Sequence, residues 1–176
     1  MRNTNCWAVL AAAGMLMAGP LATAGSLIED GGLSHAVAPN PTEMEERARS
    51  LFSSPARYAE AARLLLKAAD QREIGDPQRV KNLSMASRLT YYRGDTSEAL
   101  ALMQRAAAEA MSTGDVLAAA RGYMDGAFLA HEIGQVRVAE QLLRKAERLS
   151  HSPLIAQSDR DEIRARTALD GQGEMR

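Results

Sequence analysis

The first residues to consider are those whose side chains are suited to catalysis or metal binding. His131 and Glu132 are adjacent and offer an imidazole and a carboxylate, the groups of zinc sites and general-base catalysis. No second histidine lies near them, and the only cysteine is Cys6, close to the start of the chain. No Ser–His–Asp arrangement and no glycine-rich phosphate loop is recognisable. We therefore expect no enzymatic activity, no metal site and no cofactor.

Two stretches instead combine cationic and aromatic side chains at helical spacing, which predicts one shared helix face in each stretch. In each stretch the residues recur at intervals of three or four and so fall on one face of a helix. Lys and Arg beside Tyr suit an acidic peptide or a C-terminal carboxylate, because Arg can donate two hydrogen bonds to a carboxylate. The first stretch contains Lys81, Ser84, Arg88, Tyr91 and Tyr92, and the second contains Arg121, Met124, Phe128, His131 and Glu132.

A second interpretation of these residues is purely structural. Basic side chains on helix faces are commonly solvated, and Tyr91 and Phe128 can pack between helices without contacting a ligand.

An internal repeat predicts the elements that carry these residues. Segments 75–113 and 114–152 both begin with Gly-Asp, and their central glycines, Gly94 and Gly134, are 40 positions apart. We expect both glycines to end a helix in the left-handed conformation. After each one, apolar residues recur at i, i+3, i+4 and i+7, which is one helix face. They are Ala99, Leu102, Met103 and Ala106, then Ala139, Leu142, Leu143 and Ala146, with a weaker upstream copy at Glu60-Ala61, Leu64 and Ala68.

The patterns together predict an all-α chain of antiparallel helical hairpins. The final helix, which contains Arg160, Asp161 and Glu162, is polar enough to cover the end of a repeat array. We expect a helical domain over 42–169 and a disordered tail over 170–176. The predicted helices are 42–53, 56–71, 77–93, 96–112, 115–133, 135–150 and 155–169.

This arrangement resembles the tetratricopeptide repeat family over roughly 42–150. In that family, the first helix of each hairpin carries a large residue at position i, small residues at i+3 and i+4, and a medium-sized residue at i+7. Two departures are a period near 40 instead of the usual 34 and the lack of an in-register proline after the second helix. The matching residues are Leu83, Ala86, Ser87 and Thr90, then Tyr123, Gly126, Ala127 and Ala130.

The resemblance implies a short right-handed solenoid whose first helices line a concave, peptide-binding side. Carried over residue by residue, the peptide-binding groove contains the two cationic and aromatic stretches named above. The expected function is therefore a non-catalytic adaptor for a protein or peptide, and the cations suit an acidic one. The alternatives are a self-associating structural module, giving a homo-oligomer, and a small ligand carrier or enzyme.

The start of the chain predicts export. Residues 1–24 have a basic start at Arg2, a short apolar run, and the small residues Ala22 and Ala24 before a cleavage site at Gly25. The apolar run is shorter than the ~20 residues of a spanning helix, so we expect no stable membrane span after cleavage. Residues 25–41 read as a flexible linker, and the expected location is the bacterial periplasm or the medium.

Bulk composition adds one exclusion. The formal net charge of the 176 residues is −1, which gives no general attraction to nucleic acid.

Overall fold

A computed structural model describes residues 39–172, with side chains described as far as Ala168. The predicted leader, most of the predicted linker and residues 173–176 lie outside the described residues. The described part is all-helical and has no strand. Its helices are α1 (Pro41–Ser50), α2 (Tyr58–Gln71), α3 (Pro77–Tyr92), α4 (Thr96–Ser112), α5 (Val116–Glu132), α6 (Val136–Ser150) and α7 (Gln157–Gln172), with a 3-10 turn at Pro55–Arg57.

The helix bounds follow the sequence prediction closely, with corrections near the two ends. Pro41, expected in the linker, is the first residue of α1, and Asn40 and Glu43 form a reciprocal capping box before it. α1 ends at Ser50 and not at 53. α7 continues through Gln172, past the predicted end at 169. Within the described residues no helix is long and apolar enough to cross a membrane.

Three consecutive turns have the same geometry. Gly94, Gly114 and Gly134 all have positive φ, at 92°, 79° and 72°. The residue after each glycine donates its backbone N–H to a carbonyl five residues earlier, as from Asp95 to Thr90 and from Gln135 to Ala130. This closure satisfies the last carbonyls of the helix. The left-handed conformation predicted for Gly94 and Gly134 is therefore confirmed.

The turns also explain the 40-residue period. The three glycines are 20 positions apart, because α4 and α5 each have 17 residues and three residues separate each helix from the next. The longer helices, and not longer turns, account for the departure from a 34-residue repeat.

Each helix packs against the next along the chain, and α7 packs against both α6 and α5. The core is built largely from alanine, leucine and methionine. Small residues let the helices approach closely: a Cβ added to Gly122 would lie 2.9 Å from the Cβ of Ala107. The buried Ser87 Oγ donates a 2.7 Å hydrogen bond to the carbonyl of Ala99, which joins α3 to α4. The predicted small-residue positions on α3 and α5 are therefore helix contacts.

A partly buried ionic network joins the first four helices. The guanidinium of Arg79 donates two hydrogen bonds to the carboxylate of Glu109, at 2.6 and 3.2 Å, and another to the carbonyl of Ala69. Arg72 donates to Glu45 and to Asp76, both at 2.8 Å. These bonds link α1, α3, α4 and the end of α2. They therefore help to fix α1 and α3 relative to each other.

Candidate functional site

One groove runs between α3 and α5 and is bordered by α1 and α7. We call it the α3–α5 groove and define it by the lining of two adjoining depressions that share Arg88, Met103 and Asp125. The larger has a volume of about 520 Å³ and the smaller about 360 Å³, and both are open to solvent.

The two depressions differ in chemistry. Lys81, Ser84 and Arg121 line the larger one, with Arg49 contributed by α1. Tyr91, Tyr92 and Phe128 line the smaller one, with Arg166 contributed by α7. The first lies toward the amino-terminal ends of α3 and α5, and the second toward their carboxyl-terminal ends. The groove therefore has a cationic half and an aromatic half.

The aromatic half is a connected series of rings. The ring centroids of Tyr91 and Phe128 are 5.8 Å apart with an edge-on geometry, and those of Tyr91 and Tyr92 are also 5.8 Å apart. Tyr58 extends the series, 6.1 Å from Tyr92. Tyr91 is half-buried, but Tyr92 is 68% exposed and Phe128 is 47% exposed. Because large apolar rings are usually buried, two exposed rings beside a groove are available for a ligand.

Most of the groove's cations already have carboxylate neighbours. Asp125 lies between Arg88, at 3.2 Å, and Arg166, at 3.3 Å. Arg121 contacts Asp159 at 2.9 Å and Glu162 at 3.0 Å, both on α7. These pairs are largely exposed, so each stabilises the fold by only about 0–1 kcal/mol and exchanges readily.

Lys81 is different. Among the described residues it has no carboxylate within salt-bridge distance, and its side chain is exposed. The groove lining has five cations, Arg49, Lys81, Arg88, Arg121 and Arg166, and one carboxylate, Asp125. The lining therefore has an excess of cations although the whole chain is nearly neutral, and Glu45, Asp159 and Glu162 balance part of that excess from outside the lining.

The ionic network beneath the groove perturbs several pKa values. Burial alone would raise the pKa of Glu109, but hydrogen bonds from Arg79 and Arg105 outweigh it and the pKa is lowered. A backbone hydrogen bond from Gln78 and a side-chain bond from Arg72 lower the pKa of Asp76. Hydrogen bonds to Glu45 and Asp76 raise the pKa of Arg72. These groups stay charged near neutral pH and serve the fold.

The structure brings together seven of the nine predicted groove residues. Lys81, Ser84, Arg88, Tyr91, Tyr92, Arg121 and Phe128 all line the groove. Met124 does not: it is 1% exposed and packs with Ala120, Ala146, Ile155 and Ile163, so its placement in the groove is wrong. His131 and Glu132 are exposed at the end of α5 and do not line the groove.

Several residues that line the groove were missing from the prediction, among them Arg49, Met85, Asp125 and Arg166. Met85 and Asp125 lie four positions after Lys81 and Arg121, so helical spacing alone could have included them. Arg166 had no such signal, because its position depends on how α7 packs against α5.

Among the described residues no group of three or more His, Cys, Asp or Glu side chains is placed to hold a metal ion. Comparison with protein-family models, curated proteins and solved structures gave no match. The argument for function therefore depends on the groove itself.

Proposed function

We propose that the chain is a non-catalytic interaction module of the tetratricopeptide type, which binds a protein or peptide along the α3–α5 groove. The observation that carries the proposal is the groove's composition: five cations, one carboxylate and two exposed aromatic rings along two neighbouring helices. An open groove of this length suits an extended chain better than a small enclosed ligand. The 20-residue recurrence of Gly94, Gly114 and Gly134 supports a repeat architecture.

A peptide-display selection against the folded protein tests this proposal. Enriched peptides are expected to lose most of their affinity on Lys81→Glu/Arg88→Glu, which reverses two groove charges. The matched control is Arg63→Glu/Lys67→Glu, the same charge change at exposed positions of α2 outside the groove. The proposal fails if no peptide is enriched, or if both double variants weaken binding equally.

Self-association is a second candidate, which a specific observation favours. Ile74 and Leu154 are 79% and 76% exposed, in the connections that follow α2 and α6. Apolar side chains exposed to this extent are candidates for contact with a second copy. Sedimentation over a wide concentration range is expected to show a dimer that Ile74→Ser/Leu154→Ser disrupts. A monomer at all concentrations would exclude this candidate.

We also propose that the module acts outside the cytoplasm, in the periplasm or the medium. The support is the predicted leader over residues 1–24. Amino-terminal sequencing of the protein recovered from the periplasm and medium is expected to begin at Gly25. Retention of Met1 in the cytoplasmic fraction would contradict export.

A further inference from the structure

The cationic and aromatic halves of the groove predict the order of chemical groups along the ligand. We infer that the α3–α5 groove recognises an extended peptide that places carboxylates in the cationic half and one aromatic side chain in the aromatic half. This inference depends on the proposed function and adds the chemical class and register of the ligand to it.

The carboxylates are assigned by charge. Lys81 is exposed and forms no salt bridge among the described residues, although it acts electrostatically on Asp76. Arg49 and Arg121 line the same depression. Arg49 reaches the buried Glu45 only at 3.8 Å, which leaves hydrogen-bonding capacity for a ligand. Complementary charges between partners speed association and fix orientation more than they add affinity, so carboxylates fit this half best.

The aromatic side chain is assigned by ring geometry. Phe128 and Tyr92 are exposed on either side of the half-buried Tyr91, whose ring contacts both. A ligand ring placed here would extend an existing series of tilted and edge-on contacts. Each such contact stabilises by roughly 0.5–1.5 kcal/mol in addition to the free energy of burying the ring surface. Arg88 on α3 and Arg166 on α7 line the same depression and offer their guanidinium planes for stacking.

The spacing between the two halves sets the register. Lys81 and Tyr92 are 11 residues apart on α3, which is ~16 Å along the helix axis at 1.5 Å per residue. An extended peptide advances about 3.3 Å per residue, so about five residues cover that distance. We therefore expect the ligand's carboxylates and its aromatic residue to be separated by about four or five positions.

A set of synthetic peptides tests the register directly. Each fluorescein-labelled peptide contains three acidic residues and one tryptophan, separated by a Gly/Ser spacer of zero to eight residues, and binding is measured by fluorescence anisotropy. Affinity is expected to be highest when the tryptophan lies about five positions from the acidic residues. It is expected to fall at least about tenfold when the acidic residues become Asn and Gln, or when tryptophan becomes serine. A parallel set supplies a free C-terminal carboxylate in place of the acidic side chains. The same dependence on spacing in either set supports the inference and identifies the source of the carboxylate.

Substitutions at two exposed positions test which half of the groove binds which group of the ligand. Lys81→Glu is expected to abolish the preference for acidic residues while the preference for tryptophan remains, and Phe128→Ser is expected to do the reverse. Matched controls off the groove are Lys67→Glu and Val136→Ser, whose thermal melts and affinities should stay close to those of the wild type.

The outcomes separate this inference from the proposed function. Equal affinity at all separations, or equal weakening of every peptide by both variants, overturns the inference while leaving a peptide-binding groove intact. If no synthetic or display-selected peptide binds the folded protein, both the inference and the proposed function fail.

Discussion

At the scale of single residues, the charged side chains divide into a structural set and a groove set. Arg79 and Glu109 are largely buried and form a two-bond pair between α3 and α4. Arg88 and Arg121 form exposed pairs beside the groove. Burial makes the first pair important for folding, whereas solvent screening leaves the second pairs free to exchange with a ligand.

Breaking the buried pair should destabilise the protein strongly. Arg79→Met leaves the carboxylate of Glu109 without its principal partner, and we expect a loss of about 3 kcal/mol in the free energy of unfolding, measured with urea. The control is Arg105→Met, which removes the more exposed partner of the same carboxylate and should cost less than about 1 kcal/mol. Equal losses in the two variants would show that burial does not distinguish the pairs.

The lowered pKa of Glu109 predicts how stability depends on pH. The folded pKa lies below the unfolded value of about 4.3, so the stabilisation is complete above that pH and is lost as the pH falls through the folded pKa. Urea unfolding between pH 6 and pH 3 should show a steep fall in stability, by up to about 1.4 kcal/mol per pH unit for this group. Glu109→Gln should be less stable at pH 6 and show a shallower slope. If Glu109→Gln left the slope of stability against pH unchanged, the loss of stability in acid could not be attributed to Glu109.

At the residue scale, helical spacing was enough to group some residues on one face. Lys81, Arg88 and Phe128 line the groove because their spacing puts them on an exposed face, and peptide binding there stays a prediction. Met124 shares that spacing but is buried, since the packing of α7 through Ile163 covers it. The pair Arg79–Glu109 was not predicted, because 30 positions separate the residues and nothing local brings them together.

At the scale of elements, the close approach of α4 and α5 sets the shape of the groove wall. A Cβ at Gly122 would lie 2.9 Å from the Cβ and 3.3 Å from the Cα of Ala107. A Cβ at Gly126 would meet only side-chain atoms, Cδ1 of Leu142 at 3.4 Å and atoms of Leu100 and Met103 at 3.9 Å. The two glycines of α5 therefore provide a matched comparison.

Substitution of these glycines should have opposite consequences. Gly122→Ala is expected to lower stability by about 1–2 kcal/mol in urea unfolding, because the backbone of α4 must shift and that cost exceeds the roughly 1 kcal/mol gain in helix propensity. Gly126→Ala should be neutral or stabilising by up to about 1 kcal/mol. Stabilisation by both substitutions would show that α4 and α5 are not in close contact at Gly122.

Helix α7 contributes two carboxylates that compete for a groove cation. Asp159 and Glu162 contact Arg121, so Asp159→Asn/Glu162→Gln should free its guanidinium and strengthen binding of an acidic peptide several-fold. Fluorescence anisotropy with a groove-binding peptide measures this effect. The control, Glu140→Gln on α6, removes a carboxylate that pairs with Arg144 outside the groove and should leave affinity unchanged. Weaker binding by the α7 variant would contradict the competition.

Element bounds were the most predictable feature, because glycines and capping residues mark them in the sequence. α4 matches its prediction at both ends, and α3, α5 and α6 match within one residue. The errors concentrate at α1 and α7, the first and last helices of the described residues. The sequence did not predict that α7 borders the groove, because that position depends on how α7 packs against α5 and α6.

At the scale of the whole molecule, helices of nearly equal length joined by one recurring turn place α3 and α5 side by side. That arrangement gathers cations at one end of a groove and aromatic rings at the other. The charge of the whole chain, −1, conceals this local asymmetry, so composition alone did not predict the excess of cations in the groove lining.

The most direct test of the central claim is an NMR titration of the ¹⁵N-labelled protein with a display-selected peptide. The account predicts that amide shifts change along the groove faces of α3 and α5, at Lys81, Arg88, Tyr91 and Phe128, and remain constant at Arg63 and Lys67 on α2. Shift changes concentrated on α2, α4 and α6, or around Ile74 and Leu154, would contradict it.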